Sequence, residues 1–536
     1  MIMALFRVLL PVVVLAALFL LVNRASHPSR HELGTVPAAD RSLTASSIAA
    51  LDDALDREWT KKGLKPAEDA DDLAVARRVS LALHGAIPSL EELARFRAEP
   101  AQGRLEDWVI SRLADRRFEE YFSERLARAV VGTDGGQFLI FRRDRLVSWL
   151  AQQLHDNRPW SEIVRQLVAE KGLWTGKPET NFITAAVEMD KLDKMKLAGR
   201  TVRAFLGQRM DCAQCHDHPF AAWKQSQFEG LAAFYGGVRT SGAGVVDGTD
   251  KLEVEDRKTL KKRLVEPAPP FAPELLPAQG TPRERLAGWL TDPKNRRFSR
   301  AIANRVWGFM FGKPLHAPVD DLPDPPAGTH DVLDVLADDL NTNGYSLRRL
   351  VRVIAGSRAF RLASVHTETD PAKLAKLEEA FALYPLVRLR PEQVIGSILQ
   401  CAAIKTVDRN ANVLMRAVRF LRESDFVKHY GDFGDTELDE RGGTIPQRLL
   451  MLNGKLAQEL TEPSPFSSSL RIAAMSVNDT ECLDFAFLAC LTRLPTANER
   501  AKLQPQLAGL KGEPRNRLLE DVFWTLINST EFSWNH

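Results

Sequence analysis

Several signatures that announce an enzyme are missing from this chain. There is no Gly-x-Ser-x-Gly elbow for a strained nucleophile, no His-Glu-x-x-His pair for a catalytic zinc, and no Gly-x-Gly-x-x-Gly turn to receive a dinucleotide. Gly172 to Lys177 lacks the spacing of a phosphate-binding loop. An excess of one charge is lacking too: 72 Lys and Arg against 70 Asp and Glu leave +2 on 536 residues, which excludes the electrostatic footprint of a nucleic-acid binder. The densest basic run, Arg257 to Arg263, borders Pro267, Pro269 and Pro270 and reads as a solvated face entering a linker. Strict apolar–polar alternation is scarce, so little sheet is expected. Cysteine is sparse, five in all. Cys482 and Cys490 lie eight positions apart on an apparent helix, about 12 Å along its axis and too far to bridge, so with Cys401 they read as buried apolar residues.

What is present is ordinary globular material, 44% hydrophobic and 26% charged, on a chain long enough for two folded units. One stretch departs from that average. Val8 to Val22 is an unbroken apolar run of fifteen residues between Arg7 and Arg24. It suits the core of a signal peptide, and the apolar Met1 to Phe6 extends it towards the roughly 20 residues that span a bilayer. Asn23-Arg24-Ala25-Ser26 makes a poor cleavage site, which favours an uncleaved anchor over residues 1–24. The rest of the chain is then expected on the periplasmic or cell-surface side, joined to the membrane by a Ser-, Ala- and Pro-rich tether over 25–47.

From Ile48 onward the apolar period is helical. Leu73, Ala76, Val79, Ala82 and Leu83 recur at three and four residues, and Ser89-Leu90-Glu91-Glu92 offers a cap with an acid at the third helical position. The same period returns in Leu105, Trp108, Val109 and Leu113, in Leu146, Trp149, Leu150 and Leu154, and in Ile163, Val164, Leu167 and Val168. It breaks over 241–280 into Gly-rich and then Pro-rich sequence, with one charged, helix-compatible piece from Lys251 to Leu264. It resumes at Leu286, Trp289 and Leu290 and continues to the end. The spacing predicts a mainly α protein: a helical domain over 48–240, a linker over 241–280, and a second helical domain over 281–536.

The chemistry is concentrated in Asp211-Cys212-Ala213-Gln214-Cys215-His216-Asp217-His218-Pro219. Cys-x-x-Cys-His is the c-type haem attachment pattern: two thiols form thioethers to the haem vinyl groups and the adjacent imidazole becomes the axial iron ligand. Leu192, Met195, Val202, Phe205, Leu206 and Met210 lead into it as a helical stripe, and Trp223, Phe228, Leu231 and Phe234 follow on a second apolar face; the same residues also suit a plain core. Met189, Met195 and Met210 are candidates for a sixth ligand. Three other readings stay open. Cys212, Cys215, His216 and His218 offer zinc or another transition metal a ligand set, cramped into seven residues; the two cysteines could act as a dithiol; or they could close a small disulfide. A second, weaker site is the acidic cluster Asp320, Asp321 and Asp324 in a Pro-rich loop bracketed by His316 and His330, able to bind a cation or serve as turn and cap residues.

Some of these stretches are familiar. Arg77-Arg78-Val79-Ser80-Leu81, Gly85, Ile87-Pro88-Ser89 and Glu91-Glu92, with Cys212 to Phe220 and Trp223-Lys224, resemble the planctomycete cytochrome-type family known as domain of unknown function 1549. Phe298 to Trp307, Pro318-Val319-Asp320-Asp321-Leu322, Gly344-Tyr345-Ser346-Leu347, Pro446-Gln447, Asn453-Gly454 and Asn528 to His536 are similar to its companion, domain of unknown function 1553. The resemblance implies an exported bacterial protein, assigns Cys212 and Cys215 to thioether attachment and His216 to axial ligation, and supplies no reaction and no catalytic residue. The leading expectation is a tethered haem c protein passing electrons to or from another exported protein. The alternative is a non-redox helical scaffold or accessory of surface polysaccharide degradation whose cysteine motif holds a metal or a disulfide. A hydrolase built on the acidic loop comes third.

Overall fold

The computed structural model describes residues 42–133, 141–189, 191–255, 261–324, 330–403 and 468–536, with five single positions between the last two blocks. The apolar segment 1–24, the tether as far as residue 41, and Pro446, Asn453 and Gly454 lie outside them. Among the described residues no helix is long and apolar enough to cross a membrane. The chain is mainly helical among the described residues, as its periodicity predicts, and the sheet there consists of four two-stranded pairs.

The helices begin inside the expected tether. Helix α1 (Ala45–Lys61) is followed by α2 (Asp72–His84), α3 (Leu90–Ala98), α4 (Arg104–Ala114), α5 (Arg116–Val131), α6 (Arg143–His155) and α7 (Trp160–Ala169). Their ends follow from local chemistry. Asp71 accepts from the Leu73 N–H to start α2, and Gly85 takes a φ of +65° to stop it. Ser89 and Glu92 form the reciprocal capping box of α3, Ser89 Oγ accepting from the Glu92 N–H at 3.1 Å and Glu92 Oε2 from the Ser89 N–H at 2.9 Å. A short helix α8 (Asn181–Thr184) and the pair β1 (Val187–Glu188) and β2 (Lys191–Leu192) lead to α9 (Lys194–Leu206) and α10 (Gln225–Ala233).

Segment 241–280 contains structure of its own. Strands β3 (Val238–Ser241) and β4 (Gly244–Asp247) pair antiparallel, as do β5 (Leu252–Glu255) and β6 (Lys262–Val265). The charged piece from Lys251 to Leu264 is therefore strand at both ends where a helix is expected. Leu252 and Val254 alternate with the exposed Glu253 and Glu255, and Lys262 reaches Glu253 across the pair at 2.7 Å. Such cross-strand charge pairs favour a hairpin, and in a single sequence they look like any run of mixed charge.

After α11 (Pro282–Leu290), helix α12 (Arg296–Phe311) forms the centre: every residue from Phe298 to Phe311 is buried. It packs on α2, on α9, and on α13 (Val332–Thr342) and α14 (Leu347–Gly356). Three of its buried polar side chains reach across to neighbouring segments. Arg300 pairs with Asp331 and Asp334, Asn304 exchanges two hydrogen bonds with the His316 backbone, and Arg305 donates to the Ala204 carbonyl at 2.7 Å. One apolar core runs unbroken from Leu51 to Tyr384, and its residues come from both sides of segment 241–280. A second core joins Leu81 and Ile87 to α17 (Pro391–Cys401), α19 (Asp479–Leu491) and α21 (Glu513–Ile527); α15 (Arg358–Arg361) and α16 (Pro371–Glu379) precede this group, and α18 (Ser468–Met475) and α20 (Ala497–Leu507) are its other helices. The tail closes on the body: β8 (Trp534–Asn535) pairs with β7 (Val387–Arg388), and Asn535 donates to the Tyr384 hydroxyl at 3.0 Å.

Candidate functional site

Helix α9 does not run into the cysteines as the apolar stripe suggests. Gly207 takes a φ of +58° and ends the helix, and Met210 is buried against the core. A short 3₁₀ turn, Asp211–Gln214, then carries Cys212. With about three residues per turn, side chains three apart eclipse, which sets Cys212 and Cys215 on one side of the turn. Ala213, on the other side, is fully buried and its N–H donates to the Met210 carbonyl at 2.8 Å, so it pins the turn while both cysteines stay exposed. Asp211 approaches α9 at Gly199, where a Cβ would lie 2.4 Å from Asp211 Oδ1.

The two histidines are held in opposite ways. His216 Nδ1 faces the Asp217 carbonyl at 2.7 Å. A carbonyl only accepts, so in the neutral ring Nδ1 carries the proton and Nε2 has the lone pair, on an exposed side chain. His218 Nδ1 faces two donors, the N–H groups of Phe220 at 3.2 Å and Ala221 at 2.9 Å. Nδ1 must accept there, so in the neutral ring the proton sits on Nε2 and neither nitrogen has a lone pair to offer. His218 organises the loop instead, its own N–H donating to the Trp223 carbonyl at 2.8 Å. Among the described residues no group of three or more His, Cys, Asp or Glu is placed to hold a metal ion. The four-ligand set Cys212, Cys215, His216 and His218 is thus not gathered about one point.

The acidic loop, the second site proposed from sequence, lies against the first. Asp320 pairs with Arg203 at 3.0 Å and Arg209 at 2.8 Å, and Asp321 accepts from the Arg209 N–H at 3.2 Å. Leu322 donates its N–H to the Gly207 carbonyl at 2.7 Å, and Gln208 reaches back to the Leu322 carbonyl at 2.8 Å. Burial alone would raise the Asp320 carboxyl, but Arg209 and Arg203 more than offset it and hold it below the usual range. Asp324 pairs with Arg297, whose guanidinium lies 5.5 Å from the Trp223 ring centre and 4.8 Å from that of Phe271. Asp320 and Asp321 thus clamp Arg203 and Arg209 on the stretch of chain that delivers the cysteines, while Asp324 holds Arg297 instead. His316 and His330 face Asp331 and Asp338. Of the methionines, Met195 packs against the core and Met189 stands 89% exposed.

Residues 50–240 match the family model described as protein of unknown function DUF1549 (PSCyt2), and residues 282–416 match that described as protein of unknown function DUF1553 (PSD1). The chain is a paired DUF1549–DUF1553 protein. No curated protein and no solved structure matches it. The DUF1549 segment contributes the cysteine turn, and the DUF1553 segment contributes Arg297, Asp320, Asp321 and Asp324. Arg203, Arg209, Arg297 and Gly199 escape a sequence reading. Their partners are distant in the chain, 117 positions in the case of Arg203 and Asp320, and no local pattern links them.

Proposed function

We propose that this chain is an exported, membrane-tethered c-type haem protein that exchanges electrons with another exported protein. The observation that carries the reading is the contact of His216 Nδ1 with the Asp217 carbonyl at 2.7 Å, beside Cys212 and Cys215. Haem-ligating imidazoles offer Nε2 while the other ring nitrogen donates to a carbonyl or carboxylate, and the Asp217 carbonyl fills that part here. Cys212 and Cys215 would hold the group through thioethers from one side of the 3₁₀ turn, and His216 would ligate the iron. When bound, the haem supplies a one-electron couple. The chain's own residues supply rigidity on one side and access on the other: Ala213 and the Asp320 clamp fix the turn, while residues 214–217 and Phe220, 94% exposed, face outward where a partner can approach. The tether rests on the apolar run Val8 to Val22.

The test is a covalent haem stain and a pyridine haemochrome spectrum on protein lacking residues 1–24, exported in a host that matures c-type cytochromes, beside a Cys212→Ala, Cys215→Ala control. A stain that survives denaturation and vanishes in the control is the expected result. A folded, colourless protein would overturn the reading and leave the dithiol, disulfide and metal alternatives to thiol counting and metal analysis.

A further inference from the structure

Three cysteines take no part in the exposed site, and two of them meet. Cys401 closes α17 and Cys490 lies near the end of α19, far apart in sequence yet packed together in the second core, with 1% and 0% of their surfaces exposed. The Cys401 thiol, 3.3 Å from the carbonyl of Ala489, donates to the residue next to Cys490, and both cysteines are free, buried thiols in the structure. Arg77 donates to the Cys490 carbonyl at 3.3 Å and to that of Phe532 at 3.2 Å, which fixes the end of α19 against α2 and the tail. Cys482, on the same helix and equally buried, lies about two turns away from Cys490.

We infer that Cys401 and Cys490 are joined by a disulfide in the mature protein, which staples α17 to α19 and lies apart from the exposed cysteine pair. A protein that folds in an oxidising compartment brings these two thiols together as the second core condenses. Exchange takes place before the core seals. Two S–H bonds break and one S–S bond forms, and the two electrons and two protons pass to the disulfide of an exchange partner, a protein or small-molecule disulfide that leaves as two thiols. Afterwards burial keeps reductants away. The inference rests on the export proposed above and not on the haem, since neither residue belongs to that site.

The experiment uses the full chain, directed by an added export signal to a bacterial periplasm, unfolded without reductant in the presence of an alkylating agent, digested and mapped by mass spectrometry. The expected result is a peptide pair linked through Cys401 and Cys490, two hydrogens lighter than its separate parts and lost on reduction, with Cys482 fully alkylated as the internal control. In a Cys490→Ala variant Cys401 should become alkylated, which gives a second readout on the same peptide. Alkylation of Cys401 and Cys490 as complete as that of Cys482, or a link from either to another cysteine, would overturn the inference.

Discussion

His216 and His218 are two positions apart, equally suited to a ligand set on paper, and separated by what their Nδ1 atoms face. That difference yields a direct prediction. With attachment carried by the cysteines, His216→Ala should keep the covalent stain but change the visible spectrum of the native protein. His218→Ala should keep the spectrum and cost about 1 kcal/mol, because two backbone N–H groups lose their acceptor. Identical native spectra for wild type and His216→Ala would remove His216 from the iron. Gly199 offers a second test. A methyl there meets only the carboxylate end of the half-exposed Asp211 side chain, which can turn away, so Gly199→Ala should change stability by less than about 1 kcal/mol in urea titrations, and in an Asp211→Ala background it should stabilise by about 1 kcal/mol. Strict additivity of the two changes would show that the contact does not form. At this scale the sequence reveals Cys212, Cys215 and His216 because they are contiguous. It conceals Gly199 and the arginines of the clamp because their meaning depends on residues brought from elsewhere.

Among the elements, the junction of α2, α3, α4 and α5 shows how far a legible signal reaches. The capping box at Ser89 and Glu92 is readable, yet Glu92 also receives Arg112 and Arg117 from two later helices. Burial alone would raise its carboxyl, and these two charges more than offset that and hold it well below the usual range. His84, at the end of α2, donates through Nε2 to the Arg112 carbonyl at 2.9 Å inside the same cluster. Burial first, and then the positive charge of Arg117, push its pKa from 6.5 down to about 3. The unfolded chain therefore takes up a proton below pH 6.5 that the folded protein refuses, and stability falls as pH drops from there towards 3. Between pH 7 and pH 5 this one residue should cost about 2 kcal/mol. His84→Gln, which can still donate to Arg112, should lack that loss, so the stability gap between wild type and variant in urea should narrow by about that amount at pH 5. A gap independent of pH would mean that the folded protein protonates His84 freely. The β5–β6 pair marks the limit of such reading: alternation over four residues is too short to stand out from a charged helix until the partner strand is known.

For the whole molecule, the two family segments are joined through arginines at helix ends. An α-helix leaves its last carbonyls without donors. Here Arg283 supplies donors to Val168 and Glu170 at the end of α7, Arg305 to Ala204 near the end of α9, and Arg348 to Leu154 in the last turn of α6. Arg78 makes the reciprocal connection, donating to Phe360, Leu362 and His536. No local pattern links these arginines to their distant carbonyls, which is why 241–280 looks like a boundary between two bodies in sequence while the buried apolar residues run across it. Removing everything after residue 280 would strip α12 from α2 and α9, uncovering faces such as Phe122, whose ring lies 5.3 Å from that of Phe309, and the helix carrying Phe205. The orphaned carbonyls could turn to water, but the apolar faces could not. At about 25 cal/mol per Å² the lost burial is large against the roughly 5–15 kcal/mol by which whole domains are stable. A fragment of residues 42–280 should therefore show helical far-ultraviolet dichroism without a cooperative urea transition or a structured near-ultraviolet signal, whereas residues 42–536 should show both. If the fragment melts cooperatively, the DUF1549 segment folds by itself and the arginine joints are a late docking of two finished bodies. If it does not, the cysteine turn exists only when the DUF1553 segment is present to hold it.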